Sequence, residues 1–275
     1  MSLADQPFGA PLVAQSWERR ARIRALLMAK ATTRMLDAAR IGPGSHVLDI
    51  GTGTGDTALL AAERVGSTGW VIAIDASAAM VEQALNNVRS AGATNVDVRL
   101  MDGGDLELDD ATADAVVGRN SMQFLPGWPQ PLQGIRRVLR PGGRLAFIVW
   151  APKELNPYFQ LPITVAQEHG WMRVPAPQLE TPYRLADADR LAGDLASAGF
   201  RDVSVERVVG EVQMVDGGAL VAYIRDSAMF RNNYDELDHA DQEAFDSAMT
   251  ESLERFRTGD GYRVQATSLL ANATR

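Results

Sequence analysis

Three glycines at alternate positions, Gly51, Gly53 and Gly55, follow the apolar run 47–50, and Asp75 ends the next apolar run, Trp70–Asp75. A residue without a Cβ takes positive φ at little cost, so such a loop can lay bare backbone amides against a ligand between a strand and a helix. A carboxylate at the adjoining strand end can accept both hydroxyls of a ribose. The pair therefore predicts a grip on the nucleoside end of a small molecule. A dinucleotide is disfavoured, because the fingerprint G-x-G-x-x-G needs a third glycine where Asp56 stands.

For that loop to sit at a sheet edge, strands and helices must alternate, and the chain reads that way. The turn at 41–45 (IGPGS) leads into a first strand, HVLDI, apolar enough to be buried on both faces. Residues 57–65 read as a helix stopped by Gly66. Ser77 is a good N-cap for a helix in which Met80, Val81, Ala84, Leu85 and Val88 recur until Gly92. Strand three, 95–101, alternates Val96, Val98 and Leu100, with Asp102 directly after it. Strand four begins near Ala113. Strand five is 144–150, preceded by a turn, RPGG, at 140–143. This alternation implies an α/β fold with a parallel sheet and helices on both faces.

After Trp150 the pattern breaks. Six of the 13 prolines fall between Pro152 and Pro182 among Tyr158, Phe159, Trp171 and Tyr183, which predicts an inserted cap instead of another sheet unit. Regularity returns with a helix over 187–198 that turns Leu191 and Leu195 inward. A long alternating strand, VSVERVVGEVQMV, follows, then helices near 218–230 and 241–256, and a last strand, YRVQATSLLANAT. The organisation expected is one domain over 1–275, with N-terminal lid helices to residue 40, a core over 41–150, the cap over 151–186 and the remainder of the sheet with a helical cap over 187–275.

A net charge of −8 and a pI near 5.0 give no diffuse attraction to nucleic acid or anionic lipid and favour a small-molecule partner. Residues 17–40 are locally basic, with Arg19, Arg20, Arg22, Arg24, Lys30, Arg34 and Arg40 against Glu18 and Asp37. They lie on a segment with helical spacing of Trp17, Ile23, Leu27 and Leu36 and read as the solvated face of a lid helix. The absence of cysteine excludes disulfides, thiolate metal sites and cysteine nucleophiles, and no metal site is expected. Neither a signal peptide nor a membrane span is legible, so a soluble, cytoplasmic chain is expected. A homodimer is left open.

The ordered features VLDIGTGTG, IDAS, MDGGDLEL and ADAVVGRNSMQFLPG leading to RRVLRPGGRLAF resemble those of the class I S-adenosylmethionine-dependent methyltransferases, in particular the small-molecule branch that includes ubiquinone and menaquinone biosynthesis enzymes. The likeness spans about 42–150, with a weaker echo, LASAGFRDVSVERV, beyond it. It implies a Rossmann-like, doubly wound, mostly parallel seven-stranded sheet and S-adenosylmethionine as cofactor, with S-adenosylhomocysteine as its product. It also implies that Asp49, Gly51, Thr52, Gly53 and Gly55 line the methionine end, that Asp75 holds the ribose diol, and that Ala76 and Met80 pack on adenine. Asp102 and Gly103 would read the adenine edge, and Arg119 and Asn120 would sit beside the sulfonium. The expected acceptor is an apolar or aromatic small molecule, covered by Trp17, Tyr158, Phe159, Trp171, Tyr223, Met229 and Phe230 and methylated on carbon or oxygen. The alternative is a cyclase or pericyclase that binds the same cofactor without methyl transfer. No residue is assigned a catalytic role. His169 and His239 are the candidates for a general base, although a histidine so placed is more often structural.

Overall fold

The computed structural model describes residues 21–172, 181–226 and 230–275. The expectations for Trp17, Glu18, Arg19, Arg20, Met229 and the middle of the cap, 173–180, lie outside the described residues, as does the side chain of Arg22.

Five strands, β1 (His46–Ile50), β2 (Trp70–Asp75), β3 (Val96–Leu100), β4 (Ala113–Arg119) and β5 (Leu139–Trp150), run parallel in the order β3-β2-β1-β4-β5. Beyond β5 lie β6 (Arg201–Met214) at the far edge and, between the two, the last strand, β8 (Gly261–Thr274), antiparallel to both. A two-residue strand, β7 (Arg257–Thr258), folds back on β8 and was not separable from it in the sequence. The seven-stranded, mostly parallel sheet expected from the sequence is therefore present, with one short addition.

The described α-helices are α1 (Ala21–Ala38), α2 (Asp56–Val65), α3 (Ala78–Ser90), α4 (Pro131–Val138), α5 (Pro157–Glu168), α6 (Ala188–Ser197), α7 (Gly217–Arg225), α8 (Arg231–Asp235) and α9 (His239–Leu253). Alternate residues of β1 feed two cores. Val47 packs with α1 and α2, whereas Leu48 and Ile50 pack with α4 and α6. That two-sided burial is why the strand reads as an unbroken apolar run.

Several expectations need correction. Helix α1 is not simply a lid with a solvated basic face. It lies across the sheet, with Leu27, Met28, Ala31 and Met35 buried, and its backbone comes so close to β6 that a Cβ at Gly210 would stand 1.8 Å from the Leu27 carbonyl oxygen. Of its basic residues, Arg24 is buried and Arg34 is paired with Glu206. The turn at RPGG is absorbed into β5 as a bulge. Leu139 pairs with Ala113 and Arg144 with Ala115, so residues 140–143 loop out opposite Asp114, whose Oδ1 accepts from Arg140 at 2.6 Å. Leu100 is 57% exposed, because it ends an edge strand.

Candidate functional site

After β1 the loop takes φ of 68° at Gly51, 58° at Gly53 and 89° at Gly55. The N–H groups of Gly51 and Thr52 both donate to the Ile74 carbonyl, at 2.8 and 2.9 Å, which pins the loop to β2. A Cβ at Gly51 would lie 2.4 Å from the Ser121 Cβ, so a side chain there would strike the segment that leaves β4. Helix α2 starts immediately afterwards, bringing its N-terminus and the positive end of its dipole to the loop.

Asp75 stands at the tip of β2 as expected. Its Oδ2 accepts from the Gly53 N–H and its Oδ1 from the Ser77 N–H, both at 2.9 Å, which leaves lone-pair directions on each oxygen for a further donor. Burial pushes its pKa up, and the backbone bonds pull in the opposite direction. Asp102 caps its own turn, accepting from the Gly104 N–H at 2.8 Å.

These groups open onto a cavity of about 950 Å³, part of it in contact with solvent, at the carboxyl edge of the parallel strands. Of the residues singled out in the sequence, Gly51, Thr52, Gly53, Asp75, Ala76, Met80, Asp102, Gly103, Arg119 and Asn120 line it. Two do not. Gly55 packs against Ala84 of α3, where a Cβ would lie 3.4 Å from the Ala84 Cβ. Asp49 is fully buried and lies outside the lining. Its Oδ2 accepts from the Thr52 hydroxyl at 2.7 Å and its Oδ1 has no partner. Burial pushes its pKa up to about 6, against the opposing pull of the Thr52 bond and of Arg119.

The wall on the α1 side was not legible in the sequence. Arg24 of α1 and Arg119 of β4 both donate to the same oxygen of Asp56, Oδ2, at 2.7 and 2.8 Å, and the Thr54 hydroxyl donates to Oδ1 at 2.9 Å. Only 9% of the Arg24 side chain and 11% of the Arg119 side chain are exposed. Burial alone would raise the Asp56 pKa, but the two guanidiniums overturn that effect and hold its carboxyl well below the usual range. Asn120 follows with φ of 53°, its N–H given to the Ile148 carbonyl and its buried Oδ1 without a partner. Phe124, Leu125 and Pro126 form an apolar stretch of the lining that the sequence reading also missed.

The described aromatic residues among those expected to cover the site are elsewhere. Tyr158 is fully buried and donates to the Leu220 carbonyl at 3.1 Å, Phe230 stacks on Phe245 with ring centroids 5.0 Å apart, and Trp171 meets Phe245 edge-on. Together with Phe159 and Tyr223 they pack α5, α7 and α9 into the core shared with α1, α2 and the sheet, and none of the described ones lines the cavity. Neither candidate histidine does so. His169 stacks on Trp171 at an exposed position, and the His239 side chain is 84% exposed.

Residues 47–143 match a family described as a methyltransferase domain. With the strand order, the glycine loop and the acidic tip of β2, this match over residues 47–143 supports a class I S-adenosylmethionine-dependent methyltransferase. Among its relatives, the demethylmenaquinone methyltransferase of Shouchella clausii is 27% identical over 198 residues, covering 66% of this chain and 80% of that one. The aklanonic acid methyltransferase DauC of a Streptomyces species is 36% identical over 114 residues, covering 42% of this chain and 52% of that one. A solved S-adenosylmethionine-dependent methyltransferase from Aquifex aeolicus superimposes with a TM-score of 0.53 at 25% identity, over 70% of this chain and 90% of that one. The chain spans about half or less of the length of the first curated relatives it matches.

Proposed function

We propose that the protein binds S-adenosylmethionine in the cavity at the carboxyl edge and transfers its methyl group to an apolar or aromatic small molecule, on carbon or oxygen. The observation that carries this reading is the lining itself. One cavity joins the backbone of the glycine loop and a carboxylate at each of the tips of β2 and β3, and behind the loop, outside the lining, stands a buried acid whose Oδ1 has no partner. A molecule that bears a diol, an amino-substituted base and an ammonium group satisfies all of them. The twelve residues singled out in the sequence are assigned to that molecule, with Asp49 and Gly55 acting from behind the loop.

When bound, this cofactor supplies a sulfonium methyl group that is open to in-line displacement. The protein's part is to align the acceptor and exclude water. Asp75 holds a diol, Asp102 the base, and the αL-strained Asn120 presents its carbonyl oxygen at the end of β4. Phe124, Leu125 and Pro126 give the acceptor an apolar surface, in keeping with relatives named for small-molecule methylation. No described lining residue is a histidine, so this reading assigns the protein positioning instead of proton abstraction.

The test is calorimetric binding of S-adenosylhomocysteine, followed by incubation of S-adenosylmethionine with quinol and polyphenol acceptors. One S-adenosylhomocysteine released per methylated product is the expected result. A transformed acceptor without that release would favour the cyclase reading, and failure to bind either molecule would remove the assignment.

A further inference from the structure

The sheet ends at β6, and among the described residues no strand pairs with its outer side. This edge is 14 residues long and holds neither proline nor lysine. Its pairing with β8 is irregular only between Arg201 and Ser204, and from Ser204 to Met214 the ladder runs unbroken. An open strand of that length is a template for another chain, and proteins commonly blunt such edges with proline, lysine, bulges or a covering segment. The middle of β6 carries none of the first three.

The two faces of β6 differ. Val208, Gly210 and Val212 are buried towards α1, where Gly210 meets the Leu27 carbonyl. The odd-numbered residues project to the other face, from Val203 through Arg207, Val209 and Glu211 to Val215, one step past the strand. Val215 is 79% exposed and Val209 39%. Arg207 is exposed and has no hydrogen-bond or ion-pair partner among the described residues. Glu211 accepts from Gln265 of β8 at 2.9 Å and keeps an outward-facing carboxylate.

This row is its own complement. Opposed residues of an antiparallel pair project to the same side, so a two-fold axis normal to the sheet must pass through a residue position. With the axis at Val209, that valine meets its own copy, Arg207 stands opposite Glu211 twice, and Val203 stands opposite Val215. An axis one residue away sets Arg207 against Val209 or Gln213 and loses both ion pairs. Two residues away, it opposes Arg207 to Arg207 or Glu211 to Glu211. We propose that β6 is the surface by which two copies of this chain associate, edge to edge and antiparallel, with Val209 on the axis and Arg207 of each copy paired with Glu211 of the other. The sheet then runs on through both copies. The seam lies three strands beyond β4, away from the strand tips that line the cavity, so the inference stands apart from the cofactor reading.

Sedimentation of the full chain over a dilution series is the test, on the wild type, Arg207→Glu, Glu211→Arg, and an equal mixture of these two variants. The wild type should reach twice 29.8 kDa. Each variant alone opposes like charges at both contacts and should need about tenfold or more protein to dimerise. In the mixture every contact between unlike chains joins opposite charges, so dimers should return at wild-type concentrations. Arg207→Glu removes no bond recorded within the chain, and thermal melting checks that both variants are folded. If Glu211→Arg does not fold, the wild type and Arg207→Glu decide between them. A wild type that stays monomeric throughout would overturn the proposal. So would dimers indifferent to Arg207→Glu, or a mixture of folded variants that associates no better than its components.

Discussion

Asp49 and Asp56 stand seven residues apart on either side of one loop, and the fold treats them in opposite ways. Beneath the loop, Asp49 is sealed from water with one hydroxyl partner and an unpaired oxygen, and burial raises its pKa to about 6. At the start of α2, Asp56 is gripped by two guanidiniums and a hydroxyl, and its pKa falls. The same side chain is thus an electrostatic liability in one place and a tie in the other. The difference lies in the neighbours that tertiary structure brings: Arg24 is 32 residues from Asp56 in sequence and Arg119 is 63. Where the fold leaves a carboxylate without a cation, a ligand can supply one. Where it supplies two cations, the carboxylate is held ionised.

The largest effect should come from Asp75, the acid held by backbone N–H groups alone. Asp75→Ala removes bonds worth roughly 1.5 to 3 kcal/mol each, so calorimetry should show S-adenosylhomocysteine affinity falling on the order of 10- to 150-fold per bond. Unchanged affinity would show that the tip of β2 does not touch the ligand. Asp56→Asn should destabilise the free protein by about 2 to 3 kcal/mol, since it strands two nearly buried guanidiniums. A group with a lowered folded-state pKa contributes stability above its unfolded value and loses it as pH falls through the folded one. The gap between wild type and variant in denaturant titrations should therefore hold from pH 7 to about 4 and narrow below that.

Asp49→Asn should act with the opposite sign. A raised pKa means that the native state holds its proton longer, so the stability contributed by Asp49 is full below its usual value of 3.8 and is lost as pH rises through about 6. The variant should be more stable than wild type at pH 7, by up to about 3 kcal/mol, and lose that advantage near pH 4. It should also bind S-adenosylhomocysteine more weakly, and a stabilised variant with intact affinity would break the contrast between the two acids. The smallest effect is expected away from the cavity. Tyr158→Phe should cost about 1 kcal/mol through the lost bond to Leu220 and leave ligand affinity untouched.

Legibility followed locality. The glycine loop, the acidic tip of β2 and the parallel strands are written in contiguous residues, because two-sided burial demands apolar runs and positive φ favours glycine. The ion-pair wall is not local. An arginine on an amphipathic helix reads as solvated until a partner from another element is found, which is how Arg24 was misplaced. Aromatic residues are ambiguous for a similar reason. Tyr158, Trp171 and Phe230 carried the right hydrophobicity for a cap over the cavity, but α5, α7 and α9 bury them against one another. The apolar Phe124–Pro126 stretch was passed over because a short segment without periodicity carries no signal of its own.

The contact between Gly210 and the Leu27 carbonyl has a mechanical corollary. Arg24 sits one helical turn from that contact on the same rigid rod, so the outermost strand of the sheet sets the height at which a guanidinium meets the cavity. Any methyl group added at Gly210 would jack up the rod and withdraw the charge, though the two positions share no ligand and lie in different parts of the fold.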